Sequence, residues 1–471
     1  SGWTADRNEA GASQTSEESA STPRTVSDPH TVGVHRKEEA SEVGAPGGTP
    51  ARATPTEEAE DDPPSQMPPE GVSFVAHEWG TFTSVVSSEG TYLPGLHHQG
   101  VGLPPFVHSF RYAGPGHVPG RDFEPGVALP EQVTQKLETP VIYFYTEEPR
   151  DVRVEVDFPK GYITKWFPDA VEQRPTDPQC TRCADVDRDK HGLERLADGR
   201  MAWDVSITHR DRSSQMTDVP EDDIWAPSRE VPRAAYVQHD SETDKFIFYR
   251  GLGRASLPFR IESDRTPRDP EFTFVNESEQ RVPNVYLLNI TEERGRITEV
   301  SSVAAGGSKT LNPAPKEMPK EAFVERAKRI VKDGLVQTGL TPTESEAMVE
   351  TWAHSYFRKT GYRVLYVLPR AWTDRLLPID IEPRPDRLVR TLVGRVEVMT
   401  PTVEHETLRR VRRAHREGES LLEAYRGGRF EEPHFRRACQ LAESAELNAW
   451  CETELRKLST EVVDEHGRSG Y

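Results

Sequence analysis

From about residue 71 onward the chain is written in short apolar runs with a period of two. Val152–Phe158 alternates cleanly, with Val152, Val154 and Val156 set against Arg153, Glu155 and Asp157, the mark of a strand with one buried and one wet face. Val141–Thr146 is an almost unbroken apolar block, which fits a strand buried on both faces. Val72–Ala76 and Thr81–Val86 flank the block His77-Glu78-Trp79-Gly80. Gly161–Phe167, Met201–Thr208, Phe246–Tyr249, Phe272–Val275, Val285–Ile290 and Ile297–Ser301 continue the series. Gly and Pro punctuate these runs and no helical period intervenes. The pattern therefore predicts an antiparallel sandwich or barrel, not a parallel α/β sheet.

Helical spacing arrives late. Glu321–Val336 places Phe323, Val324, Ala327, Ile330 and Val331 on one face. The next helix opens on a capping box, with Thr341 as N-cap, Pro342 in the first turn and Glu344 three residues on. Its apolar stripe runs through Met348, Val349, Trp352 and Tyr356, and Gly361 stands where a C-cap belongs. A strand over Tyr362–Leu368, a short helix near Trp372–Leu377 and an alternating strand over Leu392–Met399 follow. Residues 402–460 read as two charged helices hinged at Gly427-Gly428. The expected class is α+β: a mainly antiparallel β-sandwich followed by a helical, α+β C-terminal part. The expected divisions are a β-rich domain over 71–310, with an inserted loop at 174–199, and C-terminal helices with two strands over 311–471.

Composition sets the first 70 residues apart. They contain no Leu, Ile, Phe or Tyr and hold nine Pro, with 14 acidic against 5 basic residues. Such a segment cannot bury enough apolar surface to offset the entropy of ordering, so a disordered acidic tether is expected over 1–70. The whole chain of 471 residues carries a formal charge of −19, which argues against nucleic acid as a partner, since that binding is driven by phosphate neutralisation. No apolar run approaches the length needed to span a bilayer. The sequence begins at Ser1, and a Ser/Thr/Pro/Glu tether of this kind often joins a membrane anchor to an exported domain. Export, whether periplasmic, surface-anchored or secreted and with an anchor upstream, is the expectation; a cytoplasmic protein with a loose tail is the alternative.

Several blocks carry a resemblance. The runs His77-Glu78-Trp79-Gly80-Thr81-Phe82-Thr83 and Glu138-Thr139-Pro140-Val141-Ile142-Tyr143-Phe144-Tyr145 are similar to blocks of a family of uncharacterised exported bacterial proteins. So are Phe248-Tyr249-Arg250-Gly251, Met348-Val349-Glu350-Thr351-Trp352 and Leu392-Val393-Gly394-Arg395. The resemblance covers roughly residues 74–435 and implies an exported location and one continuous fold. It implies no chemistry.

The candidate chemistry begins with histidine. His77, His97, His98, His108 and His117 fall within 41 of the 471 residues, in a stretch whose Gly and Pro mark it as a loop. With Glu78, the set His77, His97, His98 and His108 has the ligand types for a divalent metal held by two His and a carboxylate, or by three His. The opposing reading makes His77 and Glu78 structural partners at a strand end, because neighbouring residues on a strand point to opposite faces. Asp185, Asp187 and Asp189 have the oxygen spacing of a calcium loop, but Lys190 stands where that loop needs Gly and Leu196 where it needs Glu. An acidic surface loop is the favoured reading of them.

Four cysteines remain, Cys180 and Cys183 in a CxxC and Cys439 and Cys451 near the end. They fit a four-thiolate zinc site, two disulfides or free thiols; export favours disulfides. One unbroken helix over 433–459 would hold Cys439 and Cys451 about 18 Å apart and forbid their pairing. Arg250, between Tyr249 and Gly251, is a candidate grip for an anionic ligand, with a structural ion pair as the equal alternative. The basic run Arg409, Arg410, Arg412, Arg413 and Arg416 is surrounded by Glu404, Glu406, Glu417 and Glu419, which points to a solvated, ion-paired face. No nucleophile elbow, P-loop, dinucleotide fingerprint or His-Glu-x-x-His is present. Two functions follow: a non-catalytic extracytoplasmic protein that binds a ligand or a protein partner, and a metal-dependent hydrolase or oxygenase built on the loop 77–108.

Overall fold

The computed structural model describes residues 74–96, 102–109, 133–174, 198–264, 269–425 and 428–460. The tether over 1–70 and residues 175–197 of the inserted loop lie outside these residues. In chain order the first strands are β1 (Phe74–Val86), β2 (His108–Ser109), β3 (Gln135–Thr146), β4 (Arg150–Phe158), β5 (Gly161–Phe167), β6 (Glu172–Arg174) and β7 (Gly199–Thr208). A short helix α1 (Ala226–Arg229) precedes β8 (Tyr236–His239), β9 (Glu242–Asp244), β10 (Ile247–Gly253), β11 (Phe259–Ser263) and β12 (Phe272–Asn276). Then come β13 (Val282–Ile290), β14 (Arg294–Val303), β15 (Ser308–Leu311), β16 (Met318–Pro319), α2 (Lys320–Val336) and α3 (Pro342–Tyr356). The chain closes with β17 (Gly361–Val367), α4 (Arg370–Leu376), β18 (Ile379–Glu382), β19 (Arg387–Val398), α5 (Pro401–Glu417), α6 (Glu431–Gln440) and α7 (Ala445–Thr460).

These elements make an α+β protein in layers. Ten strands form one large sheet in the order β16-β14-β13-β17-β19-β1-β3-β10-β5-β2. Two smaller sheets, β18-β4-β7-β8-β9 with β6 beside β7, and β11-β12-β15, cover one of its faces. Phe82, Phe144, Leu287 and Tyr366 of the large sheet pack there against Val154, Trp203, Ile261 and Phe274 of the small ones. The helices α1, α2 and α3 cover the other face, where Trp352, Met348 and Phe323 meet Trp79, Tyr143 and Leu365. Both faces of the central strands are therefore buried. In β3, Ile142 and Phe144 enter the first core while Val141 and Tyr143 enter the second, as the apolar block requires.

Four differences from the sequence reading have physical causes. His77-Glu78-Trp79-Gly80 does not separate two strands; it lies within a single 13-residue strand whose register against β3 shifts between Trp79 and Thr81. A side chain at Gly80 would meet the Cα of Pro140 at 2.9 Å, so the glycine allows the strands to approach at the irregularity. The boundary expected at residue 310 is crossed by the sheet, because β19 pairs with β1 in parallel over twelve residues and β17 sits between β13 and β19. Alternation identifies a strand but not its partner. Gly361 opens β17 instead of capping α3, which ends at Tyr356. The C-terminal segment forms three helices, not two: α5 stops at Gly418, whose φ is 72°, and α6 and α7 are separate. These three enclose a small core of their own around Leu408, Val411, Leu421, Phe435 and Leu458.

Candidate functional site

His77 and Glu78 do point to opposite faces of β1. The His77 ring faces α3, its Nδ1 lying 2.9 and 3.0 Å from the two oxygens of Glu344. That carboxylate also accepts from the Tyr145 hydroxyl at 2.7 Å and from the backbone N–H of Thr341 at 2.7 Å, completing the capping box. Burial alone would raise the Glu344 pKa, but His77 and these donors outweigh it and hold the carboxyl below its usual range. A carboxylate depressed in the folded state lends stability above its unfolded pKa and loses it as pH falls through the folded value. Stability is therefore expected to decline on acidification below about pH 4.3, the ordinary Glu value. Urea midpoints measured along a pH series check this, and Glu344→Gln is expected to flatten that part of the decline.

Glu78 faces the other core. Its carboxylate accepts from Arg390 Nε at 2.5 Å and from the Tyr249 hydroxyl, and Arg390 reaches on to Asp374 at 2.9 Å. His108 lies on β2, four strands across the sheet from β1, or roughly 19 Å at ordinary strand spacing. Its Nε2 meets Glu242 at 2.6 Å, and its ring stacks on Trp166. His77, Glu78 and His108 thus serve three separate structural pairings. These three do not converge on one point, because adjacent strand residues diverge and the intervening loop ends on a distant strand. Among the described residues no three His, Cys, Asp or Glu side chains are grouped to hold a metal ion. His97, His98 and His117 lie outside the described residues, as do Asp185, Asp187, Asp189, Cys180 and Cys183.

Cys439 and Cys451 form a disulfide, with Cα atoms 5.9 Å apart. The turn between α6 and α7 folds the chain back and brings the pair together, where an unbroken helix would have kept them apart. In this structure these two sulfurs are bonded to each other, as the disulfide alternative has it. Arg250 is buried in β10, pairs in register with Lys165 of β5, and contributes to the positive field around Glu138. It sits within the fold. In α5, Arg410 pairs with Glu431 and Arg413 with Glu417, as a paired helical face requires.

A different constellation stands where the C-terminal helices meet the sheet. Glu138 of β3 accepts from Thr83 at 2.5 Å, from the Tyr356 hydroxyl at 3.1 Å and from Arg429. Burial would raise the Glu138 pKa, yet Arg429, Lys136, Arg395 and Arg250 together hold it far below the carboxylate range. Arg395 lies 4.2 Å from the centre of the Tyr356 ring and donates from Nε to Glu397 at 2.7 Å. Glu397 also faces Arg363, whose Nε is 3.1 Å away. Arg363 donates to the carbonyls of Tyr356 and Lys359 at 2.5 and 2.8 Å, satisfying the open carbonyls at the end of α3. Burial, with Arg395 and Arg429 nearby, pushes the Arg363 pKa down to about 10 despite Glu397.

Arg363 and Glu397 lie at the floor of a cleft of about 820 Å³, Arg363 fully buried beneath it. Its sheet wall comprises Asn289–Glu292, Gly361–Arg363 and Glu397; its helix wall includes Val403, Arg410, Glu431 and His434. Six Lys and Arg line it against four Glu, an inversion of the acidic balance of the chain. Most of these charges are paired. The exceptions are the Lys320 ammonium, the Glu292 carboxylate and the His434 ring, none of which has a polar side-chain partner among the described residues. Burial lowers the His434 pKa, against the pull of Glu431 and Glu397, which favours a neutral imidazole with one donor and one acceptor nitrogen. A concave site with convergent polar groups and displaced pKa values is the physical profile of a ligand site. Sequence reasoning missed it because Arg395 and Glu397 alternate with Val396 and Val398 and look like the wet face of a strand.

Among the described residues no helix is long and apolar enough to cross a membrane. No family model matches the chain, and no curated protein matches it. Among solved structures it is similar to the yeast delta-COP-I mu-homology domain, at 10% identity and a TM-score of 0.23 over 69% of this chain and 96% of that one. The same domain complexed with the Dsl1 WxWxV peptide gives the same identity, score and coverage. A TM-score of 0.23 marks a loose likeness, too weak to carry function from that domain to this chain.

Proposed function

We propose that this is an extracytoplasmic binding protein that takes its ligand in the cleft between the large sheet and the C-terminal helices. The observation that carries the reading is the cleft itself: about 820 Å³, with a pinned floor at Arg363 and Glu397 and an uncommitted His434 on the opposite wall. Pre-formed clefts of this size, walled by fixed charges, suit small ligands. The Cys439–Cys451 disulfide supports an oxidising compartment, where such bonds persist, and the acidic tether composition is in keeping with export. Two measurements test the proposal. Cell fractionation of the native host locates the protein, and recovery solely in the cytoplasm counts against export. Thermal melting of the full chain against a library of small anions and neutral sugars tests binding. The expected result is a rise in Tm for a few related compounds that is lost in Thr360→Trp, which fills the cleft mouth; a library without effect on either protein rejects the cleft as a binding site.

A further inference from the structure

We infer that the cleft's ligand is a small hydroxylated organic acid of the sugar-acid class. This rests on the cleft being a binding site and names what it selects. The Lys320 ammonium is half-buried at the cleft wall without a carboxylate partner among the described residues. Glu292 in the same lining has no partner either among the described residues, but six Lys and Arg face four Glu, so the lining is net positive and favours an anion where water screens less than at an open surface. Arg358, whose nearest acid is Glu321 at 3.4 Å on the exposed surface, adds to the same side. On the helix wall His434 is half-buried, and its neutral form pairs best with a hydroxyl, which both donates and accepts. The Tyr362 and Phe430 rings line the space between, giving apolar surface for the carbon skeleton of a ring or short chain. One ligand uses all of these at once if it carries a carboxylate at one end and hydroxyls along its body.

The test is calorimetric titration of the full chain with D-glucuronate, D-glucose and acetate, on wild type, Lys320→Glu and His434→Leu. D-glucuronate is expected to bind one to one. Lys320→Glu is expected to weaken it about tenfold or more through reversal of the charge, and His434→Leu about tenfold through loss of a hydroxyl partner. Melting of the unliganded variants, expected to match wild type, shows that both fold. Glucose binding as tightly as glucuronate overturns the acid, and if that binding is lost in His434→Leu the cleft reading stands without it. Acetate binding as tightly as glucuronate overturns the hydroxyl requirement. Glucuronate that fails to bind, or binds both variants as it binds wild type, overturns the inference, while the library melting with Thr360→Trp decides the cleft reading separately.

Discussion

Arg429→Ala is expected to destabilise the protein by roughly 3–5 kcal/mol, the usual loss when one partner of a buried ion pair is removed. Arg429 and Glu138 are almost fully covered, with side chains 4% and 7% exposed. The guanidinium also donates to Ser355 Oγ at 3.2 Å and lies over the Phe430 ring, so it fastens the C-terminal helices to the centre of the sheet. Its removal leaves the Glu138 carboxylate with only Thr83 and Tyr356 as neutral donors. The carboxyl must then either stay charged without its nearest cation or take up a proton. Glu138→Gln in the same chain is expected to recover part of the loss, because the buried charge is gone. Urea denaturation of both single variants and the double variant measures the coupling. A coupling near zero would show that the two groups do not depend on each other.

Trp352→Ala is expected to cost a similar amount, roughly 3–5 kcal/mol, by a different route. Trp352 is 1% exposed and stacks on Tyr356 with ring centres 4.8 Å apart. It belongs to the core between α3 and the large sheet, alongside Met348, Val349 and Val393. Truncation removes a large apolar area and opens a cavity that two rigid layers cannot close. Thermal or denaturant unfolding checks the value. A loss below about 1 kcal/mol, the level of an ordinary surface change, would mean that this face of α3 does not support the fold.

Those two residues show how unevenly the structure could be read from the chain. Trp352 was legible: period, capping box and stripe placed it on a buried helical face, and the capping box forms as Thr341 and Glu344 predict. The alternation of Val152–Phe158 was equally faithful, with each Val and the closing Phe158 buried in β4. Arg429 was not legible. It follows the Gly427-Gly428 pair in a polar stretch and contacts a residue 291 positions away, a pairing that no local pattern encodes. The same holds for Arg395 and Glu397, where period-two alternation promised a solvated face. Helices packed over that face convert it into a buried polar layer, and only tertiary structure reveals the cover. The histidine block misled for a related reason. His77 and His108 are close in sequence, but β1 and β2 stand four strands apart and each of these two rings meets its own carboxylate.

Hydrogen–deuterium exchange of the full chain, with and without saturating D-glucuronate, tests the central claim most directly. Protection is predicted at residues 289–292, 359–363 and 430–434, the two walls of the cleft, with little change in the strand carrying His77 and Glu78. Protection centred on that strand or on His108, with the cleft walls unaltered, would contradict the account and return the functional site to the histidine block.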